Sequence, residues 1–161
     1  MKNLWAPWRM NFILGPREKG CIFCKLPKKK DDRKNLILYR GKKNYIILNK
    51  YPYNNGHLMV VPYRHVKDLS KITPAEYAEM MQLASIAVKA LDKTMHPQGH
   101  NLGMNLGAAA GAGILNHLHL HVVPRWVGDT NFMPVLDHTK VMVEYLNETY
   151  DRLAPVIHRL M

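Results

Sequence analysis

The chain has 161 residues, a length that fits one domain with a buried core. Its hydrophobic content of 47% is ordinary for a globular protein, and no window is apolar for the length of a membrane span, which excludes a helical membrane protein. Lys and Arg outnumber Asp and Glu by 23 to 12, a net charge of +11 that favours polyanionic partners without choosing among nucleotides, nucleic acid and anionic surfaces.

Residues 1–20 hold Trp5, Pro7, Trp8 and Pro16, a proline density that argues against a regular helix. An irregular arm is expected, with the two tryptophans packed on the body. Nothing here resembles a secretory leader, so a cytoplasmic protein is expected. Cys21 and Cys24 are the only cysteines and form a C-x-x-C. In a chain of cytosolic character this spacing points to metal or redox chemistry ahead of a structural disulfide. A closed zinc site needs about four ligands, so two more must come from elsewhere in the chain. The basic run from Lys25 to Lys34 reads as a solvated loop.

The apolar runs at 36–40 and 45–48, split by a turn at 41–44, predict a hairpin. Residues 51–56 are dense in turn formers, and His57 to Pro62 predicts a third strand. These runs are too continuously apolar for one wet face, so the sheet is expected to be covered on much of both sides. Thr73-Pro74-Ala75-Glu76 combines an N-cap, a proline at the first helical position and a glutamate three after the cap. The helix is expected to run to about His96, with Tyr77, Met80, Met81, Ala84, Val88 and Leu91 on the core face and Glu76 and Glu79 on the other. Another strand is expected at 102–106, and a final helix on Met142, Tyr145, Leu146, Thr149, Tyr150 and Leu153, capped by Asp137 or Thr139. His96, His100, His138 and His158 read as surface or helix-end residues.

The chemistry concentrates in His117-Leu118-His119-Leu120-His121. In a strand, alternate side chains face opposite sides, so the three imidazoles share one face and the aliphatic residues the other. Pro124 is expected to limit how far this strand pairs. Directly upstream, Gly107 to Gly113 (GAAAGAG) has almost no side-chain bulk, which lets backbone N–H groups approach a phosphate closely. A neutral imidazole is a good nucleophile near pH 7.

The alternating histidines followed by two apolar residues resemble the motif of the histidine-triad (HIT) family of nucleotide hydrolases and transferases. Asn105-Leu106-Gly107 and Asn55-Gly56-His57 through His65 extend the resemblance. Leu4 to Arg9, the C-x-x-C and Pro124 to Asp129 through Pro134 are similar to the bacterial diadenosine tetraphosphate phosphorylase-type branch. The resemblance implies an α+β, HIT-like fold: an antiparallel sheet of about five strands, one long helix and a C-terminal helix. It implies one HIT domain over residues 1–161, with 1–35 as an arm carrying the C-x-x-C and the basic loop. It also implies a homodimer, with no membrane or nucleic-acid partner expected.

By the same resemblance His119 is the nucleophile, and His121 and His57 donate to the phosphate or the leaving oxygen. Asn105, Gly107, Gly111, Gly113 and His121 contact the substrate, and His65 and His117 join Cys21 and Cys24 on a structural zinc. A backbone carbonyl in the Gly/Ala run or its flanks would hold the second nitrogen of His119. The implied function is nucleotidyl transfer on a dinucleoside polyphosphate through a nucleotidyl-histidine, with inorganic phosphate as co-substrate and ADP and ATP as products from diadenosine tetraphosphate. Hydrolysis of dinucleoside polyphosphates or nucleoside phosphoramidates is the alternative. Many hydrolases of the family carry Gln where this chain has Gly113, a departure that leaves room for phosphate as acceptor. A rival of another class is a zinc-stabilised nucleotide- or nucleic-acid-binding module without turnover, which leaves three aligned histidines unexplained.

Overall fold

The computed structural model describes residues 20–130 and 142–161. The tryptophans of the arm, the stretch 131–136 and the proposed caps Asp137 and Thr139 lie outside the described residues. Five strands, β1 (Ile37–Arg40), β2 (Asn44–Leu48), β3 (Leu58–Pro62), β4 (Gly99–Gly103) and β5 (Leu120–Arg125), form one antiparallel sheet in the order β1-β2-β3-β5-β4. Among the described residues the α-helices are the short α1 (Ile22–Lys25), the long α2 (Pro74–Met95) and the C-terminal α3 (Leu146–Leu160). This is the expected α+β architecture, and no described helix is long and apolar enough to cross a membrane.

Alternation along the strands sorts two cores onto the two faces of the sheet. Ile46, Leu48, Leu58, Val60, Leu120 and Val122 pack with Met80, Leu83, Leu91, Leu153 and Ile157 of α2 and α3. Tyr45, Ile47, Met59 and Val61 face the other way and pack with Phe23 of α1. The continuous apolar runs thus arise because helices cover one face and the N-terminal segment the other.

The capping box of α2 forms between Thr73 and Glu76, and His96 ends the helix in the left-handed conformation. The core face is shifted from the expected one. Tyr77 and Met81 are 48% and 43% exposed, and Leu83, Ala87 and Ala90 are buried in their place. Glu76, placed by periodicity on the wet side, is buried because Arg64 binds it bidentately at 2.8 and 2.7 Å. Glu79 is also engaged, accepting from the backbone N–H groups of Lys42, Lys43 and Asn44 in the β1–β2 turn. Polar residues on this helix therefore tether loops of the sheet, which a hydrophobic count cannot anticipate.

Three other boundaries move. The strand expected at 102–106 is β4 at Gly99–Gly103, because pairing with β5 fixes it from Gly99↔Arg125 to Gly103↔His121. Pro124 does not stop β5, and it sits opposite His100. β3 pairs with β5 only as far as Val122. Asn54 Nδ2 donates to Pro124 O, and a strand residue's N and O face the same side, so the missing N–H removes no ladder bond. Tyr145, expected on the apolar face of the last helix, is 81% exposed, because α3 begins only at Leu146. Met142 likewise precedes the helix. The basic run is largely exposed, as expected, but opens with a 3-10 turn at Leu26–Lys28.

Gly56 connects the turn before β3 to the long helix. Its φ is +74°, and a Cβ there would lie 2.7 Å from the Met95 sulfur, so a side chain would strain the backbone and displace Met95. The Glu76 pair yields a pH prediction. Arg64 holds the Glu76 carboxyl down to about 2, below its ordinary value near 4.3 when unfolded. A depressed carboxylate contributes stability above its unfolded pKa and loses it as pH falls toward the folded value. At pH 7, Glu76→Gln is expected to cost roughly 1–3 kcal/mol in denaturant unfolding, a gap that closes as pH drops from about 5 to 2. A gap independent of pH would mean that the pair does not stabilise the fold.

Candidate active site

The four histidines meet on the α1 face of the sheet. Met59 of β3 stands opposite His121 of β5, and His57 immediately precedes β3. The strand expected to carry all three triad histidines begins only at Leu120, so His117, in a bend, and His119 lie just ahead of β5. All four rings are buried. Ring centroids are 5.0 Å apart for His57 and His121, and 4.8 Å for His119 and His121.

Backbone partners fix which ring nitrogens carry hydrogen. The Tyr53 N–H donates to His57 Nδ1 at 3.0 Å, so His57 carries its hydrogen on Nε2. That N–H points at His121 Nδ1 at 2.8 Å, which leaves the hydrogen of neutral His121 on Nε2. His119 Nδ1 donates to the His117 carbonyl at 2.8 Å, so the lone pair of neutral His119 sits on Nε2. His117 Nε2 donates to the Pro62 carbonyl at 2.8 Å, leaving its own lone pair on Nδ1. The site thus holds an imidazole acceptor on His119 and an imidazole donor on His121 side by side. The carbonyl that holds His119 comes from the triad segment itself, two residues upstream.

Burial lowers the pKa of His119, and it pushes His117 down to about 4. Both therefore stay neutral at pH 7. A buried neutral imidazole with its second nitrogen tied to a carbonyl keeps its nucleophilic lone pair through neutral pH.

His117 Nδ1 lies 3.2 Å from Cys21 Sγ and 3.5 Å from Cys24 Sγ, and His65 Nδ1 lies 3.3 Å from Cys24 Sγ. One atom from each of Cys21, Cys24, His65 and His117 falls within 4.8 Å of every other. Tetrahedral zinc, with bonds of about 2.3 Å to sulfur and 2.0–2.1 Å to nitrogen, sets sulfur and nitrogen about 3.5 Å apart. The four residues therefore fit a tetrahedral Cys2His2 metal centre, and the lone pair on His117 Nδ1 faces it. Burial is the largest influence on Cys24 and raises its thiol pKa, so metal binding there must displace a proton.

Beside His121 lies a cavity of about 340 Å³, lined by Tyr53, Asn54, Asn101, Leu102, Gly103, Asn105, Val123, Arg125, Asp129 and Thr130. Asn105 and His121 both line it, while Gly107, Gly111 and Gly113 are not among its lining residues. Gly107 and Gly111 have φ of +82° and +79° around the 3-10 turn Ala108–Ala110, and a Cβ on either would touch nothing within 4 Å. Their loop is exposed. Sequence reasoning missed the polar frame of this cavity. Asp129 accepts from Arg125 and from Asn54 Nδ2, and Arg125 Nη1 donates to Asn101 at 2.7 Å. Asn54 carried only a turn signal, and Arg125 and Asp129 only the branch resemblance.

Comparison with known proteins agrees with this geometry. The HIT domain family model matches residues 30–127. An AP-4-A phosphorylase of Mycobacterium tuberculosis is 40% identical over 96% of this chain and 83% of its own length. Among solved structures, a Zn-bound histidine triad family protein of Mycobacterium smegmatis superposes with a TM-score of 0.69 at 26% identity, covering 88% of this chain and 95% of that one. A hypothetical histidine triad nucleotide-binding protein of Sulfolobus tokodaii gives 0.69 at 25% identity over 87% and 93%. With the family model spanning more than half its length and the histidines assembled on one face, the chain belongs to the HIT family.

Proposed function

We propose that the chain is a nucleotidyltransferase acting on dinucleoside polyphosphates, and that its reaction is the phosphorolysis of diadenosine tetraphosphate. The observation that carries this reading is the pair of opposed tautomers, a bare Nε2 on His119 beside an Nε2–H on His121. The 40% identity to an AP-4-A phosphorylase supplies the substrate class.

His119 Nε2 attacks an α-phosphorus, and the bond to the bridging oxygen breaks. ATP leaves with that electron pair, and adenylyl remains on His119. An oxygen of inorganic phosphate then attacks the same phosphorus, the Nε2–P bond breaks, and ADP forms. The leaving triphosphate is weakly basic and needs donors and positioning more than a strong acid. His121 donates from Nε2 to the phosphate or bridging oxygen, and His57 holds it in that tautomer. Asn105 orients the sugar or phosphate from the cavity wall, and the backbone of Gly107, Gly111 and Gly113 lets the phosphates come close. A side chain the size of Gln at position 113 would fill space that Gly113 leaves for the phosphate acceptor.

Cys21, Cys24, His65 and His117 would hold zinc, a structural ion that ties the N-terminal segment to the nucleophile segment and supplies no nucleophile. We read the whole chain as one cytoplasmic domain, supported by the bidentate Arg33–Asp151 contact between the N-terminal segment and α3. We also read it as a homodimer, because among the described residues β4 ends the sheet with one edge unpaired and carries the exposed Leu102.

His119→Ala is expected to lower turnover by roughly 10³-fold or more while keeping substrate affinity within a few fold, measured by product assay and calorimetry. Unchanged turnover would rule out the nucleophile. Elemental analysis of protein purified without added metal is expected to find about one zinc per chain, with chelation lowering the melting temperature. A content far below one per several chains would count against the ion.

A further inference from the structure

Phe23 lies between the two cysteines on α1 and is 3% exposed. Its ring stands edge-on to His117, with centroids 5.5 Å apart, and 5.0 Å from His119. Its carbonyl accepts from the hydroxyl of fully buried Tyr45 at 2.8 Å. α1 has only four residues, too few for a helix to persist by itself. Its placement therefore depends on packing against Tyr45, Ile47, Met59 and Val61 and on whatever holds Cys21 and Cys24. The bond from His119 Nδ1 to the His117 carbonyl fixes one ring nitrogen but leaves the ring free to tilt about that axis. A neighbouring aromatic ring limits such tilting by geometry as well as by contact area.

We propose that Phe23 is a positioning residue for His119, carrying the geometry of the Cys21/Cys24/His65/His117 centre to the nucleophilic ring by packing. This rests on the reading of His119 as the nucleophile. Closing the centre on a metal fixes both ends of the C-x-x-C turn and presses Phe23 onto His119. Opening the centre by metal loss loosens Phe23 and lets the ring tilt away from the aim that attack on phosphorus needs.

The test uses the full chain as Phe23→Ala and Phe23→Leu, each assayed for metal content, kcat and KM, and for the His119 Nδ1–H signal in proton–nitrogen NMR of the resting protein. Phe23→Ala is expected to keep its metal and its KM, to lose kcat by roughly 10–100-fold, and to broaden or shift the His119 signal. Phe23→Leu is expected to recover part of both. Chelated wild-type protein, still folded, is expected to show the same change in the His119 signal. Full metal with wild-type kcat and an unchanged signal in Phe23→Ala would overturn the proposal. Should Phe23→Ala fail to fold or to hold metal, a metal-bound Phe23→Leu with wild-type kcat and signal would overturn it equally. Turnover surviving in His119→Ala would instead sink the nucleophile reading, while the ring signal would still report whether Phe23 orients His119.

Discussion

His117 is the residue on which the site hangs, because three separate bonds converge on it. Its Nε2–H is tied to the Pro62 carbonyl at the end of β3, and its Nδ1 faces the two cysteines. Its own carbonyl takes the Nδ1–H of His119. Each bond removes a freedom that the others leave. The Pro62 bond chooses the tautomer that exposes a lone pair to the thiols. The carbonyl bond chooses the tautomer that exposes the lone pair of His119. A single side chain and its peptide thus join the sheet, the N-terminal segment and His119.

The second pair is organised separately, and this separation lets neighbouring imidazoles take opposite roles. A backbone N–H is an unambiguous donor, so the Tyr53 amide sets His57, and His57 sets His121. A backbone carbonyl is an unambiguous acceptor, so His117 O sets His119. Two buried histidines two residues apart on one side of the chain would otherwise be chemically alike. The burial that lowers the pKa of His119 keeps it neutral, and neutrality is what gives its tautomer meaning.

Much of this was legible from the sequence. The alternation at 117–121 placed the imidazoles on one face, the Thr73–Glu76 pattern marked the start of α2, and two cysteines three apart marked one half of the Cys2His2 cluster. The resemblance, and not the spacing, named His65 and His117 as their partners. What stayed hidden depends on tertiary contact. Glu76 reads as solvated until Arg64 arrives from the loop after β3. Pro124 reads as a limit on pairing, and only the register shows that the limit falls on the β3 side while β4 pairs past it. Phe23 reads as one more apolar residue until the thiols flanking it are seen to converge on His117. Asn54, Arg125 and Asp129 carry no periodicity at all, since side-chain hydrogen bonds leave no such trace.

The central claim is that inorganic phosphate, and not water, takes the nucleotidyl group from His119. The most direct measurement incubates the protein with diadenosine tetraphosphate and isotopically labelled inorganic phosphate and follows both products. ADP and ATP are expected in equal amounts, only when phosphate is present, with the label confined to the β-phosphate of ADP. AMP and ATP formed without phosphate, or ADP carrying no label, would contradict the account and assign the triad to hydrolysis.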